Sequence, residues 1–218
     1  MKIKIDYVVL ELLKAKSLIS LKLNKKMEII LYEQKSFEDI DYSDKTLTDT
    51  EFYKCNFHNC NFTKSDLSDI DFIECNFNDC NFTLTILKNS GFKDIKFNKC
   101  KIMGIDFSIC NNFLFTIDFN ECHLDNSTFH SKKMKKTNFI NCSLKEVDFS
   151  EVDLTLSVFQ NCDLSNSTFN QSVLDKVDFR TSVNYVIEPD CNRIKKAKFS
   201  LSGLPGLLAK YDIVVESE

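Results

Sequence analysis

Glycine and proline are almost missing from this chain, with four of one and two of the other in 218 residues, and there is no tryptophan. A fold that reverses through ordinary hairpins draws on Gly for its positive-φ positions, so other residues have to make the turns here. The sequence also lacks an uninterrupted apolar run of membrane-spanning length. Its one apolar patch, near the N-terminus, is broken by Glu11, Lys14 and Lys16, which excludes a bilayer-crossing helix or a clean signal peptide. Ten cysteines over this length, with no signal peptide ahead of them, do not make a small disulfide-stapled secreted scaffold and point to a reducing cytoplasm. Histidine is scarce as well. His58, His123 and His130 are the only three, and no glycine-rich phosphate loop or isolated acid pair accompanies them. The chain therefore reads as a non-enzyme that needs neither metal nor cofactor.

Phenylalanine, by contrast, is abundant, and it is periodic. Steps of five from Phe37 give Tyr42, Leu47, Phe52, Phe57, Phe62, Leu67, Phe72, Phe77, Phe82, Leu87, Phe92, Phe97, Ile102 and Phe107. The same step from Leu114 gives Phe119, Leu124, Phe129, Met134, Phe139, Leu144, Phe149, Leu154, Phe159, Leu164, Phe169, Leu174 and Phe179. Every member is large and apolar. Five matches neither the helix period of 3.6 nor the strand period of 2, so no single element buries this column and the chain must bend regularly. Four five-residue sides close a coil of 20 residues, and coils stack at about 4.8 Å through strand-like hydrogen bonds.

Two residues before each centre is a second inward position, small or β-branched: Cys55, Cys60, Ser65, Ile70, Cys75, Cys80, Thr85, Ser90, Ile95, Cys100. Just before the centre, Asp or Asn recurs at Asn56, Asn61, Asp66, Asp71, Asp148, Asp153 and Asp178. Short side chains of this kind bond nearby backbone and are expected to make the turns without Gly. Cys60, Cys80 and Cys100 are spaced by 20, as are Cys122, Cys142 and Cys162. Removing a two-residue insertion near "CNNF", Cys110 to Phe113, aligns all six on one face. Their Cβ vectors run parallel, unlike those of a relaxed disulfide, and a straight row does not surround zinc tetrahedrally, so the column reads as small buried packing residues.

The repeat resembles the A(D/N)LXX motif of the pentapeptide-repeat family over Phe37 to Phe179, with Cys, Ser or Val often replacing Ala and Phe replacing Leu. The resemblance implies an all-β fold, a right-handed quadrilateral β-helix, here of about seven coils. The regular repeats at 37–107 and 114–179 belong to a β-helix spanning 27–200. Residues 201–218 are similar to the closing element of Qnr-type members, dimeric proteins that bind DNA gyrase or topoisomerase IV and counter quinolones. That likeness implies a short helix with Leu204, Leu207, Leu208 and Tyr211 followed by strand-like Ile213, Val214 and Val215, and a homodimer through this end. An apolar cap on an open coil end accounts for the same residues. "AKF", Ala197 to Phe199, lies 20 residues beyond Val177 to Phe179 and continues the last coil after a turn at Glu188 and Pro189; Cys191 falls outside the cysteine column.

Charge is uneven. The leader, 1–26, holds seven Lys against Asp6 and Glu11. It is expected to be a frayed helix, a weak membrane-surface contact, or sequence upstream of the natural start. On the side centred on Leu47, Leu67, Leu87, Phe107, Phe129, Phe149 and Phe169, the outward residues include Asp49, Asp66, Asp69, Asp106, Asp148 and Glu151 against Lys88 alone. This is the candidate acidic binding face of a DNA mimic directed at a topoisomerase, with no direct nucleic-acid binding of its own. A stack of about 34 Å would face about twenty phosphates in duplex DNA, so six carboxylates imitate it thinly. The alternative is an interaction scaffold for a partner the sequence does not name. The repeat also lacks the long coil-breaking loops of Qnr-type proteins from Gram-negative hosts and is similar to the loopless members. "KKMKK" supplies a second candidate patch, Lys133, Lys135 and Lys136, and places Lys132 at an inward slot, where bulging or snorkelling of its stem is expected.

Overall fold

The computed structural model describes residues 29–113, 115–214 and 216. The leader lies outside them. Extended backbone on two faces of the coil forms two all-parallel sheets. Strands β1 (Ile30–Glu33), β3 (Thr50–Tyr53), β5 (Asp71–Ile73) and β7 (Gly91–Lys93) stack in that order. On the neighbouring face β2 (Ser36–Glu38), β4 (Asn56–His58), β6 (Asn76–Asn78), β8 (Ile95–Asn98), β9 (Ile117–Asn120), β10 (Asn138–Ile140) and β11 (Val158–Gln160) form a seven-stranded sheet. The register pairs Phe37 with Phe57, Phe57 with Phe77, Phe77 with Phe97, Phe97 with Phe119, Phe119 with Phe139 and Phe139 with Phe159. Each step is one coil of 20 residues, or 22 across the insertion. The result is a parallel β-solenoid with about six turns from the first to the last strand of that sheet. Beyond β11 the ladder continues through single bridges from Val158 to Asp178 and on to Lys198, and Phe199 stacks on Phe179 at 5.5 Å, as the recurring "AKF" implies.

The missing glycines have a fuller explanation than side-chain turns. Two residues after almost every centre the backbone is left-handed, with φ between 49° and 67°, at residues as varied as Asp39, Lys64, Glu74, Leu84, Asn126, Ser131 and Gln171. Gly104 is the one glycine that shares this conformation. At most of these corners the left-handed residue's N–H bonds the next coil, as Lys64 N–H does to the Thr83 carbonyl at 3.0 Å. Ladder bonds made at these corners offset a conformational cost of about 1 kcal/mol per residue. The Asp or Asn before the centre does assist on the turn-like faces. Asn61 accepts from the Thr63 N–H, Asp66 from Ser68, Asp148 from Ser150 and Asp153 from Thr155. Asn56, in a strand, instead accepts from Asn76 one coil away at 2.9 Å.

Inside, centre residues stack on their counterparts in neighbouring coils. Phe62 and Phe82 are 4.6 Å apart between centroids, Phe57 and Phe77 4.7 Å, and Phe139 and Phe159 4.6 Å, while adjacent faces meet edge-on. The second inward column, read as packing residues, also does hydrogen-bonding work. The Ser90 hydroxyl donates to the Leu67 carbonyl at 2.7 Å, Thr85 to Phe62 at 2.7 Å, and the Cys75 and Cys100 thiols to Phe52 and Phe77 at 3.4 Å. Each donor satisfies a carbonyl 23 residues earlier, which explains why Cys, Ser and Thr interchange there. Nine cysteines are buried and free, and Cys191 is exposed. Burial pushes the Cys110 thiol up to about 12 and holds Cys75 and Cys100 far above the usual thiol range.

The insertion ends the four-stranded sheet. Thr116 N–H bonds the Phe92 carbonyl, so the extra residues fall between Asn111 and Phe115. Phe115 is buried there and meets Phe92 and Phe107 edge-on at 6.2 Å, a position the five-residue step assigns to Leu114, which lies outside the described residues. Lys132 neither bulges nor snorkels. It is 1% exposed, and its Nζ donates to the Cys110 carbonyl and to Asn112 Oδ1, both at 2.6 Å, with the Phe115 ring 5.1 Å away. At the other end a helical cap runs from Leu201 through α1 (Pro205–Leu208) to Tyr211. Leu207 packs on the core, and a Cβ on Gly206 would lie 2.0 Å from the Tyr185 carbonyl, so the cap seats only with glycine there. The strand expected after it is not formed at Ile213 and Val214, and Val215 lies outside the described residues.

Candidate interaction surface

The acidic side is built from two outward columns. One precedes the centres and reads Thr46, Asp66, Ile86, Asp106, Thr128, Asp148, Thr168, with successive members bridged or one coil apart. The other occupies the corner two residues after each centre, left-handed except at Ile109: Asp49, Asp69, Asn89, Ile109, Ser131, Glu151, Gln171. In the first column no two carboxylates stack directly. Like charges at a coil spacing repel by about 1 kcal/mol even in water, a cost the second column bears at Asp49 and Asp69. Some acids of the two columns instead take a donor from a neighbouring coil. Thr128 Oγ1 donates to Asp148 at 3.2 Å, Ser131 Oγ to Glu151 at 2.8 Å and Asn89 Nδ2 to Asp69 at 2.6 Å.

The carboxylates are held by their own turns. The Ser68 hydroxyl and N–H lie 2.5 and 2.9 Å from Asp66 and keep its carboxyl below the usual range. Burial pushes Asp148 up, but hydrogen bonds from Ser150 and Thr128 outweigh it and bring the group down. Asp106 accepts from the Ser108 N–H and hydroxyl in the same way. Lys88 adds its charge near Asp66, and His130 lies 3.9 Å from Asp148 and 3.8 Å from Glu151. The six residues of the candidate face lie on one side, interrupted by neutral residues except where Asp49 and Asp69 follow one another.

Lys133, Lys135 and Lys136 are exposed in a coil that is not kinked, with Lys133 bridged to Asp153 and Lys135 paired with Asp153 at 3.1 Å. Lys135 and Lys136 border a shallow cavity of about 220 Å³ together with Asp94, Lys96 and Asp118. At the cap Leu204, Tyr211 and Ile213 are exposed, whereas Leu207 and Leu208 are half-buried. His58, His123 and His130 all face outward. Among the described residues no group of three His, Cys, Asp or Glu converges as metal ligands, and no helix is long and apolar enough to cross a membrane. The apolar side chains interleaved with the acids, Ile86 and Ile109, were missed because the charge sorting passed over them. Their outward register was the available signal.

A repeated coil with this register defines a class, and the family comparison agrees with it. The pentapeptide repeat region model matches residues 50–113 and 110–179, and the chain belongs to that family. Among solved structures, a trypsin-treated variant of QnrB1, described as a plasmid-mediated fluoroquinolone resistance protein, aligns at 20% identity over 88% of this chain and 94% of its own, with a TM-score of 0.42. Full-length QnrB1 aligns at 16% identity over 84% and 100%, also at 0.42. HetL of the cyanobacterium Nostoc, a pentapeptide repeat protein involved in heterocyst differentiation regulation, aligns at 13% over 84% and 93%, at 0.39. Among curated protein sequences none matches this chain.

Proposed function

We propose that this protein is a non-enzymatic binding module of the cytoplasm whose acidic side engages a protein partner, and that the partner class is a type II topoisomerase, DNA gyrase or topoisomerase IV, with lowered quinolone sensitivity as the consequence. The observation that carries the binding role is the anchoring of Asp66, Asp106 and Asp148. Each has one oxygen bonded to its own turn, so the charges are presented without the entropy cost of ordering flexible side chains. The topoisomerase rests on the family resemblance. Pairing of two chains through the exposed cap residues Leu204, Tyr211 and Ile213 belongs to the same reading.

Supercoiling by purified gyrase, with and without quinolone, tests it. The wild-type protein changes the reaction at micromolar concentration, and a triple Asp66→Asn, Asp106→Asn, Asp148→Asn variant does not. Asn61 and Asn81 already make the same turn bond, so the variant keeps its fold. A wild-type protein with no effect on either enzyme removes the topoisomerase and leaves the scaffold reading. The scaffold has its own support in Ile86, an apolar residue where a groove-like row of charges would place another acid.

A further inference from the structure

From Tyr32 to Ser182 the exposed large hydrophobic residues, among those described, are Leu84, Ile86, Ile109, Phe113 and Leu156. Leu84 and Ile86 fall on one coil and Ile109 and Phe113 on the next, with Ile86 outward on the acidic side, Leu84 and Ile109 at its two corners and Phe113 just past the second corner. Scattered apolar residues are ordinary on a surface, but a cluster rimmed by charge marks an interaction site. Ile86 is 48% exposed and lies between Asp66, its bridge partner, and Asp106 one coil on. Leu84 leans over the next coil, where a Cβ on Gly104 would meet its Cδ2 at 2.8 Å. Ile109 caps the following corner, its carbonyl taking the Asn89 N–H at 2.8 Å.

Phe113, 58% exposed, is presented by the insertion. Its N–H is tied to Asn111 Oδ1 at 2.9 Å, and the loop is held from beneath by the Lys132 ammonium on Cys110 and Asn112. The insertion therefore has a fixed floor and a bare aromatic top. Lys88 lies within this patch and Lys64 one coil below Leu84 in the same corner column, against Asp66, Asp69 and Asp106 around them.

We infer that Leu84, Ile86, Ile109 and Phe113, rimmed by Asp66, Asp69 and Asp106, form a docking surface for a basic amphipathic segment of a protein partner. Its aliphatic side chains lie on the patch and its Lys or Arg side chains on the rim. The inference rests on the acidic side being a protein-binding surface, and it replaces charge mimicry alone by charge plus apolar contact.

The test uses a synthetic amphipathic Lys/Leu peptide and a control of equal length and charge with Gln for every Leu, titrated into the isotopically labelled full chain and followed by amide shifts. It involves no topoisomerase, so its result stands apart from the supercoiling assay. The expected result is saturable shifts at Leu84, Ile86, Ile109 and Phe113 with the Lys/Leu peptide. Binding weakens about tenfold or more in Ile86→Asp and is unchanged in Leu156→Asp. Asp already occupies the same column at 66 and 106; if Ile86→Asp does not fold, Phe113→Ser, outside the ladder, takes its place. Equal binding of the Lys/Gln control, tighter binding by Ile86→Asp, shifts centred on the cap, or no binding at millimolar peptide would each overturn the inference.

Discussion

Replacing Lys132 tests whether a buried ammonium holds the insertion in place. Two oxygens at 2.6 Å, the Cys110 carbonyl and Asn112 Oδ1, take its protons. Bonds to a charged group contribute about 1.5–3 kcal/mol each, while the effective cost of burying one ion is several kcal/mol, so the two nearly offset. Lys132→Met removes both and keeps most of the stem. What is left over is the Cys110 carbonyl without its lysine donor, in a residue that is itself buried, whereas the exposed Asn112 turns to water. An acceptor stranded in this way costs about 1–3 kcal/mol, the loss expected for Met. Lys132→Ala also removes three methylenes at about 0.8 kcal/mol each, for a total of about 3–5 kcal/mol.

Urea unfolding of the wild type and both variants measures the difference, and amide exchange at Asn111 and Phe113 locates it. Burial lowers the Lys132 pKa from its ordinary 10.5, opposed by Cys110 and Asp106. Between the folded and unfolded values the unfolded chain therefore binds the extra proton, so stability rises as pH rises toward 10.5. The wild type should gain on Lys132→Met across that window, and titrations common to both chains cancel in the difference. A Met variant as stable as wild type, with unchanged exchange in the insertion, would refute the role given to the ammonium.

Thiol chemistry gives a second test. In the native state a disulfide-exchange reagent should titrate one fast thiol, Cys191, and the nine buried cysteines only after denaturation; two or more fast thiols would contradict the closed interior. The cap supplies a third. Sedimentation of the full chain should show a dimer that Leu204→Asp with Ile213→Asp converts to monomer, both being exposed in the single chain, and a wild-type monomer at high micromolar concentration would leave these residues as an end cap only.

The column of centres was legible because one geometric demand, a large apolar side chain pointing to the axis, repeats at every fifth residue. Phe62, Phe82 and Cys142 are buried as the step requires. The corner conformation was not legible. Backbone in the left-handed region at Lys64 or Leu84 leaves no residue-type signature when ladder bonds, rather than glycine, support it. The Asp and Asn pattern is visible in sequence but accounts for part of the turning only. At the insertion the five-residue step assigned Leu114, and Phe115 took the buried contact with Phe92, because two extra residues let the loop choose which side chain turns in. Lys132 was readable as an inward lysine, but its partner was not, since nothing in the spacing links it to Cys110 and Asn112.

The acidic candidates illustrate a limit that the ladder itself imposes. A parallel solenoid places like residues of successive coils one above another, so an unbroken row of carboxylates would stack charge on charge up the side. The observed column alternates Asp66, Asp106 and Asp148 with Ile86 and Thr128, and Thr128 bonds the acid beside it. The pre-centre column of this side carries about one acid for every two coils, and both columns together stay well below the phosphate density of a duplex. Affinity for a partner therefore has to come from something besides charge. In this chain the residues free to supply it are those that fill the gaps, and around Ile86 they are apolar. The irregular insertion next to them adds the exposed aromatic side chain of Phe113.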